Sequence, residues 1–429
     1  MNLPKDPAKA PREKKNIIHN ISALYVVYIT SYLLPLVTIP YLTRVLGPDY
    51  WGLIAFAQSF GQYFVLIIEY GFTLSATREV AQQRDNMEKL SELFAGVMGA
   101  KFFLILISFS IGIIAKPFIP VFEEHSYLFW LAYFWAISQS LNPLWYFQGL
   151  EKMRLVATLD VVAKTIATLC VFIFIHEAKQ APLFLVFQGI ASFLSTFVAF
   201  WISYRDLHFR FPTLASTKKA LSLGWTLFLF KSAVSFYTVG NTFILGLFVA
   251  PTYVGYYAGA EKISKALLGL LNPVAQALYP RMNHLITYSK IEAAKLAQKS
   301  LKFIGAGSIA LGLATFLLSP FLVKILLGHE FQPASHTLKI LAMLIPMIAI
   351  SNVLGIQWMI PLKLDRFFNT IIILAGSLNI VLAVILAPLY SYNGMAWAVV
   401  ISEVFVTIGM YAVLVFKKLS FKGIITHGS

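Results

Sequence analysis

The sequence predicts an all-α integral membrane protein with twelve transmembrane helices and no sizeable soluble domain. Of its 429 residues, 58% are apolar and only 12% are charged, whereas a soluble domain carries about 25% charged residues. A spanning helix needs ~20 mostly apolar residues. The apolar residues therefore indicate many spans rather than one or two membrane anchors.

Twelve apolar runs separated by short polar segments carry this prediction. They lie at about 17–42, 51–76, 92–115, 127–148, 155–175, 182–203, 222–248, 253–278, 302–326, 337–360, 368–388 and 394–416. The first run is too long for the apolar core of a signal peptide, so we interpret it as a retained span. Its two prolines, Pro35 and Pro40, are expected to bend or break the helix.

The basic residues are distributed very unequally between the two sides of the membrane. With the N-terminus in the cytoplasm, 24 of the 34 Lys and Arg residues fall in cytoplasmic segments and five in outer segments. Because basic residues are enriched in cytoplasmic loops, this predicts cytoplasmic N- and C-termini. We therefore attribute the net charge of +15 to topology and expect no nucleic acid partner.

An internal duplication is visible at an offset of 203 residues. The stretch LGPDYWGLIAFAQ (46–58) aligns with VAPTYVGYYAGAE (249–261), and a weaker echo at an offset of 212 pairs Leu150, Arg154 and Thr158 with Leu362, Arg366 and Thr370. Transporters are often built from such repeats. The duplication predicts two six-helix lobes related by an axis along the membrane normal.

These boundaries give five predicted regions. They are a cytoplasmic tail at 1–16, an N-lobe at 17–203, a cytoplasmic linker at 204–221, a C-lobe at 222–416 and a cytoplasmic tail at 417–429.

Polar residues inside two matched spans predict a hydrated cleft between the lobes. The second span carries Gln58, Gln62 and Glu69, and the eighth carries Glu261, Lys265 and Asn272 at the same spacing. Such groups are costly in hydrocarbon and usually face an interior cavity. The alternative is that they only form hydrogen bonds between helices.

Further polar residues extend this set of candidates. Lys231 and Asn241 lie in the seventh span and Lys262 neighbours the eighth-span stripe, so the lysines make the expected cleft cationic. Lys101 and Lys164 also lie within spans, and we expect them to extend toward an interface.

Several classes of function are disfavoured by what the sequence lacks. It has no Walker A, G-x-S-x-G, H-E-x-x-H or paired-cysteine motif, and its single cysteine is Cys170. We therefore expect no nucleotide-hydrolysing site, metal or other cofactor. The short outer segments disfavour a membrane glycosyl ligase or polymerase, and the chain is not expected to be an enzyme.

Six motifs resemble those of the O-antigen flippase (Wzx-type) family of polysaccharide exporters. They are PYLTRVLGP (40–48), AFAQ (55–58), YGFTLSATRE (70–79), WYFQGLEKM (145–153), YAGAEKI (257–263) and ALYPR (277–281). The resemblance covers nearly the whole chain. It implies the MATE-like fold of the multidrug/oligosaccharidyl-lipid/polysaccharide exporter (MOP) superfamily.

The resemblance also implies a function. The protein is expected to move undecaprenyl-pyrophosphate-linked O-antigen units, or those of a related surface polysaccharide, from the cytoplasmic to the periplasmic leaflet by alternating access. The candidate substrate-binding residues are Lys231, Lys262, Lys265, Asn241, Asn272, Gln58, Gln62 and Arg78. Glu69 and Glu261 are the candidates for coupling to H⁺ or Na⁺. The expected partners are membrane lipids, a polysaccharide polymerase and a chain-length regulator.

Two other functions remain open from the sequence alone. A cation-coupled drug or small-molecule antiporter of the same superfamily is disfavoured by the lysines of the seventh and eighth spans. A purely structural membrane protein leaves the duplicated polar stripe without a purpose.

Overall fold

The computed structural model describes residues 10–421, 423 and 424, and this part of the chain consists of helices and turns without a β-strand. Its α-helices, in chain order, are α1 Ala10–Glu69, α2 Phe72–Gln82, α3 Met87–Ala115, α4 Pro120–Glu124, α5 Ser126–Ser140, α6 Leu144–Gly149, α7 Met153–Phe174, α8 Pro182–Asp206, α9 Leu214–Thr238, α10 Asn241–Gly246, α11 Pro251–Gly269, α12 Asn272–Tyr288, α13 Lys290–Leu326, α14 Ala334–Ala342, α15 Leu344–Leu354 and α16 Asp365–Phe416.

Each of the twelve predicted spans falls mainly on helical residues, with short interruptions in several of them. Within the described residues, seven segments are long and apolar enough to cross a membrane, and the longest of them, Asp365–Phe416, contains two predicted spans. These segments are Val37–Gln82, Met87–Phe118, Met153–Phe174, Ala178–Asp206, Lys290–Leu326, Ala334–Met359 and Asp365–Phe416. The all-α class is confirmed, and the count of twelve spans stays a prediction.

The longest helices change direction at single residues with non-helical backbone angles. In α1 this residue is Gly47 (φ 67°, ψ 175°), and in α16 it is Ser391 (φ 55°, ψ −140°). Neither Pro35 nor Pro40 breaks the helix, because α1 continues through both, and a bend at either proline stays a prediction. A proline ring fixes φ at a helical value and removes one hydrogen bond, which a membrane helix tolerates.

The two matched spans are each interrupted once, at places that the sequence did not reveal and that differ by three residues at the offset of 203. The second span breaks between α1 and α2 at Tyr70 and Gly71, and the eighth breaks between α11 and α12 at Leu270 and Leu271. Gly71 has a φ of 78°, which favours glycine because it lacks a Cβ atom. Each of these spans therefore consists of two helices rather than one.

The echo at an offset of 212 residues corresponds to the same turn in both halves. Glu151 and Lys363 both have a φ of 60°. In each turn, the N–H of the next residue bonds to the carbonyl oxygen five residues earlier, at 2.9 and 3.0 Å. The paired threonines one turn into the next helix, Thr158 and Thr370, both donate to the carbonyl four residues earlier at 2.8 Å. The similarity of sequence is thus accompanied by a similarity of backbone.

The chain divides into two compact units. Unit 1 contains Met1–Thr38 and Phe60–Ser232, and unit 2 contains Ile39–Ser59 and Ala233–Ser429. The segment Ile39–Ser59 therefore belongs with the second half of the chain, although it precedes most of the first. The predicted boundaries of the lobes and of the linker stay predictions.

In unit 1, an aromatic core holds α6 against its neighbours. Phe94 of α3 packs on Trp145 and Tyr146 of α6, with ring centroids 5.5 Å apart in both pairs. Thr77 of α2 donates to the carbonyl of Trp145 at 3.1 Å. Three exposed ion pairs join the adjacent helix ends; they are Arg84–Glu151 at 2.6 Å, Lys152–Asp206 at 3.1 Å and Arg210–Glu88 at 2.7 Å.

In unit 2, the core surrounds a π-helical turn, Gly355–Met359, that follows α15. Trp358 of this turn is fully buried and its indole N–H donates to the carbonyl of Leu419 at 3.0 Å. A Cβ atom on Gly355 would lie 2.6 Å from the ring of Phe368. The turn is thus fixed by its packing against both ends of α16.

Candidate functional site

The charged residues of α11 form the most defined part of the predicted site. Lys265 and Glu261 form an ion pair with Nζ and Oε1 3.0 Å apart, one helical turn from each other. Glu261 exposes 15% of its side chain and Lys265 exposes 52%. Lys262 is exposed as well. The ammonium groups are therefore accessible, while the carboxylate that partly neutralises them is largely covered.

The helix α10 begins beside this ion pair. Thr242 donates to Oε2 of Glu261 at 3.5 Å, and its neighbour Asn241 is 2% exposed. The seventh predicted span breaks here, between α9 and α10. Thr242 therefore contacts Glu261 from the first turn of α10.

Ser59 of α1 bridges the two helix ends at this break. It donates to the carbonyl of Val239, next to the end of α9, at 2.9 Å, and it accepts the N–H of Phe243 in the first turn of α10 at 3.2 Å. Both backbone groups belong to helix ends, where intrahelical partners are lacking. One hydroxyl thus satisfies a donor and an acceptor and fixes the start of α10 beside α1.

The other predicted residues have more varied surroundings. Gln58 and Gln62 are partly buried on α1, and Arg78 is exposed on α2. Glu69 accepts a hydrogen bond from Thr73 at 3.2 Å. Lys231 and Asn272 lie in α9 and α12, and their side chains are outside the described part of the chain. That the two polar stripes face one another stays a prediction.

Sequence reasoning missed Ser59 and Thr242. Each is adjacent to a predicted residue, and Ser59 occupies the position that corresponds to Lys262 at the offset of 203. The duplication therefore held a signal for Ser59. Serine and threonine are common throughout spans, however, so their type alone did not distinguish them.

Lys101 lies elsewhere in unit 1 and is a correction to the sequence analysis. It is 1% exposed and donates to the carbonyl of Ser140, the last residue of α5. It does not extend to an interface. A cation at this end of a helix is stabilised by the helix dipole and by the free carbonyls.

Within the described residues, no group of three His, Cys, Asp or Glu side chains is arranged to hold a metal ion.

The sequence profile of one protein family matches residues 17–286, and the description of that family is "Polysaccharide biosynthesis protein". The chain belongs to this family. A protein named "Putative O-antigen transporter" from Escherichia coli (strain K12) is 32% identical over 396 residues, which cover 92% of this chain and 95% of that protein. A protein of the same name from Shigella dysenteriae is 29% identical over 395 residues, covering 90% and 96%. The resemblance drawn from the sequence motifs is thereby confirmed.

Two solved structures place this polysaccharide biosynthesis protein in a known fold. A lipid II flippase MurJ in an inward closed conformation has a TM-score of 0.69 at 15% identity and covers 95% of this chain and 91% of its own. An inward-facing multidrug resistance MATE family transporter of the MOP superfamily has a TM-score of 0.65 at 14% identity and covers 92% and 99%. At these identities the likeness concerns the fold. It confirms the predicted MATE-like fold.

Proposed function

We propose that this protein is a flippase for lipid-linked oligosaccharides. It moves undecaprenyl-pyrophosphate-linked O-antigen units, or units of a related surface polysaccharide, from the cytoplasmic to the periplasmic leaflet by alternating access. The observation that carries the proposal is the 32% identity, over 92% of this chain, to a protein named as an O-antigen transporter. Because its relatives are named as transporters, the role is transport rather than catalysis.

The chemistry of the substrate accounts for the need for a protein. A diphosphate bearing several sugars cannot cross hydrocarbon unaided, because its charges and hydroxyls would lose their hydration. The tail is long, and at ~0.8 kcal/mol per buried CH₂ its extraction from the bilayer would cost tens of kcal/mol. We therefore propose that the tail stays in lipid while the head passes through a hydrated path between the two lobes.

The residues of α11 suit the diphosphate. Lysine binds phosphate as a compact point charge, and both Lys262 and Lys265 are exposed. We assign the phosphate contact to these two residues together with Lys231 and Arg78. The amides of Gln58, Gln62, Asn241 and Asn272 are assigned to the sugar hydroxyls.

The proposal also covers the driving force of transport, the membrane in which the protein lies and its partners. Net flux is driven by an H⁺ or Na⁺ gradient or by consumption of the flipped lipid, and Glu69 or Glu261 carries the coupling ion. The protein lies in the bacterial inner membrane with both termini in the cytoplasm. It works beside a polysaccharide polymerase and a chain-length regulator.

An antiporter for drugs or other small molecules is the weaker alternative. The likeness to a MATE transporter concerns the fold at 14% identity. An acidic cleft would favour a cationic drug, whereas α11 exposes two lysines and largely covers its one glutamate.

Substitutions of the ion pair test the role of Lys265. We expect Lys265→Ala to lower surface polysaccharide about ten- to a hundredfold, since a hydrogen bond to a charged group contributes about 1.5–3 kcal/mol. If Lys265 binds phosphate, the double variant Glu261→Ala with Lys265→Ala stays defective at a normal protein level. The measurement is surface polysaccharide, protein level and lipid-linked intermediates by mass spectrometry in a strain lacking the native gene.

A matched control pair lies in unit 1. Asp160 and Lys164 are also one turn apart, with Oδ2 and Nζ 2.7 Å from each other, and their double alanine variant should transport normally. Near-wild-type polysaccharide from the Glu261 and Lys265 double variant would instead assign the pair a purely structural role, since no unpaired charge would remain.

A further inference from the structure

The two copies of the duplicated motif meet each other within unit 2. Pro48 directly follows Gly47, the kink of α1, and Pro251 is the first residue of α11. Both prolines follow a residue with an extended ψ, 175° at Gly47 and 154° at Ala250. The two copies thus start a helix in the same way, 203 residues apart.

Each copy places its glycine on the proline of the other copy. A Cβ atom on Gly52 would lie 1.8 Å from the carbonyl oxygen of Pro251, and one on Gly255 would lie 2.1 Å from the carbonyl oxygen of Pro48. Real Cβ contacts are not this short. The reciprocity indicates a local two-fold axis between the copies. We call this contact the Gly–Pro seam and define it by Pro48, Gly52, Pro251 and Gly255.

Polar contacts flank the Gly–Pro seam. Thr252 donates to the carboxylate of Asp49, a residue that is exposed. These two residues also correspond at the offset of 203. Water can replace an exposed hydrogen bond at a small net cost, so this flank does not prevent the copies from separating.

The seam and a proposed phosphate-binding lysine share one face of α11. Lys262 is seven residues beyond Gly255, which puts it two turns along the same side of the helix. At a rise of 1.5 Å per residue, the two positions are about 10 Å apart along the axis. The positive-inside distribution predicts that Pro48 and Pro251 are on the periplasmic side, so Lys262 lies deeper in the membrane than the seam.

We propose that the Gly–Pro seam is the periplasmic gate of the transport path. Its two sides come from the two halves of the duplication and pack together within unit 2, and we place the proposed path across this contact. Contact between backbones, which only glycine permits here, closes the path without a side chain that would have to move aside. The gate opens when the copies separate. This inference rests on the proposed function for the identity of what passes, and its first test does not require transport.

The first test measures access to a cysteine beyond the gate. In a Cys170→Ala background, Lys262→Cys is the reporter, and a membrane-impermeant thiol reagent is added outside cells with a permeable outer membrane. A methyl group at the seam forces the copies apart, so we expect Gly52→Ala and Gly255→Ala each to raise the labelling rate about tenfold or more, which is ~1.4 kcal/mol or more in the gate equilibrium.

The matched controls are Gly305→Ala and Gly307→Ala in α13, where a Cβ atom meets nothing within 4 Å. Neither should change the labelling. If both seam variants are present at normal level and label like the controls, the seam is not a gate.

A crosslink tests the same gate should the glycine variants fail to accumulate. Cysteines replacing Asp49 and Thr252 should form a disulfide that stops transport, and a reductant should restore it. Cysteines replacing Thr337 and Asn393, whose side chains bond at 2.8 Å within the second half, provide the control disulfide that leaves transport intact. Continued transport by the fully crosslinked Asp49 and Thr252 variant, or an equal loss of transport with the control disulfide, would overturn the proposal.

Discussion

Glu403 carries a carboxyl group that is buried inside unit 2. It lies in α16 with 9% of its surface exposed, and Ser351 of α15 donates to its Oε1 at 2.7 Å. Losing a partner of a buried polar group costs about 1–3 kcal/mol. We therefore expect Ser351→Ala to lower the apparent melting temperature of the protein in detergent.

An exposed serine of α16 is the control for this prediction. Ser377 is exposed and donates to the carbonyl of Ile373 in its own helix at 3.1 Å. Ser377→Ala should change the melting temperature little. Equal melting temperatures for the two variants would mean that the bond to Glu403 contributes nothing measurable.

Single residues also mark the limit of what the sequence predicted. The apolar pattern placed Lys101 and Glu261 within spans, because a charge interrupting such a run is easily recognised. It did not reveal that Lys101 contacts the end of α5 or that Thr242 contacts Glu261. These contacts depend on which helices touch and in what rotation, and a pattern within one helix does not contain that information.

At the scale of elements, the turn shared by both halves makes a prediction about Lys363. Its φ of 60° is unfavourable for residues with a Cβ atom, by roughly 1–2 kcal/mol, and is worst for β-branched ones. We expect Lys363→Val to destabilise the protein. Lys363→Gly should be neutral or stabilising by up to about 1 kcal/mol, because glycine removes the backbone strain but loses more backbone entropy on folding. Thermal unfolding in detergent measures both variants.

An exposed lysine inside a regular helix provides the comparison. Lys299 lies in α13, and valine there loses only its helix propensity, at most about 0.7 kcal/mol. A similar loss for Lys299→Val and Lys363→Val would contradict the argument from φ.

The elements themselves were predicted better than their interruptions. All twelve apolar runs lie mainly on helices because hydrophobic length alone indicates a span. The breaks at 70–71 and 270–271 fall inside continuous apolar runs, so hydropathy carried no sign of them. At Pro35 and Pro40 the residue type suggested an interruption that the helix tolerates, whereas Gly47, just before Pro48, is the actual kink.

At the scale of the whole molecule, the duplication connects the fold with the proposed transport. It predicted equivalent positions in the two halves, and the structure adds that the equivalent positions 48–52 and 251–255 are in contact. In the first half the position matching Lys262 is Ser59, which is engaged with α9 and α10. One copy of the ancestral position thus supports the site, while the other exposes a cation.

The orientation of the molecule is the prediction on which the direction of transport depends. With 24 of 34 basic residues in the segments assigned to the cytoplasm and five outside, inserting or removing one early helix would destroy the asymmetry. We expect both termini in the cytoplasm and the junctions near Pro48, Phe122, Pro251 and Tyr390 in the periplasm. Single cysteines in a Cys170→Ala background test this with an impermeant thiol reagent.

Two exposed positions give this labelling experiment its contrast. Glu124 is the last residue of α4 on the predicted periplasmic side, and Lys218 lies in the first turns of α9 on the predicted cytoplasmic side. In cells with a permeable outer membrane, Glu124→Cys should react, and Lys218→Cys should react only after the inner membrane is broken. Reaction of Lys218→Cys in intact cells would reverse the orientation. It would then put the Gly–Pro seam at the cytoplasmic end of the path, where it would have to open for entry of the substrate rather than for its release.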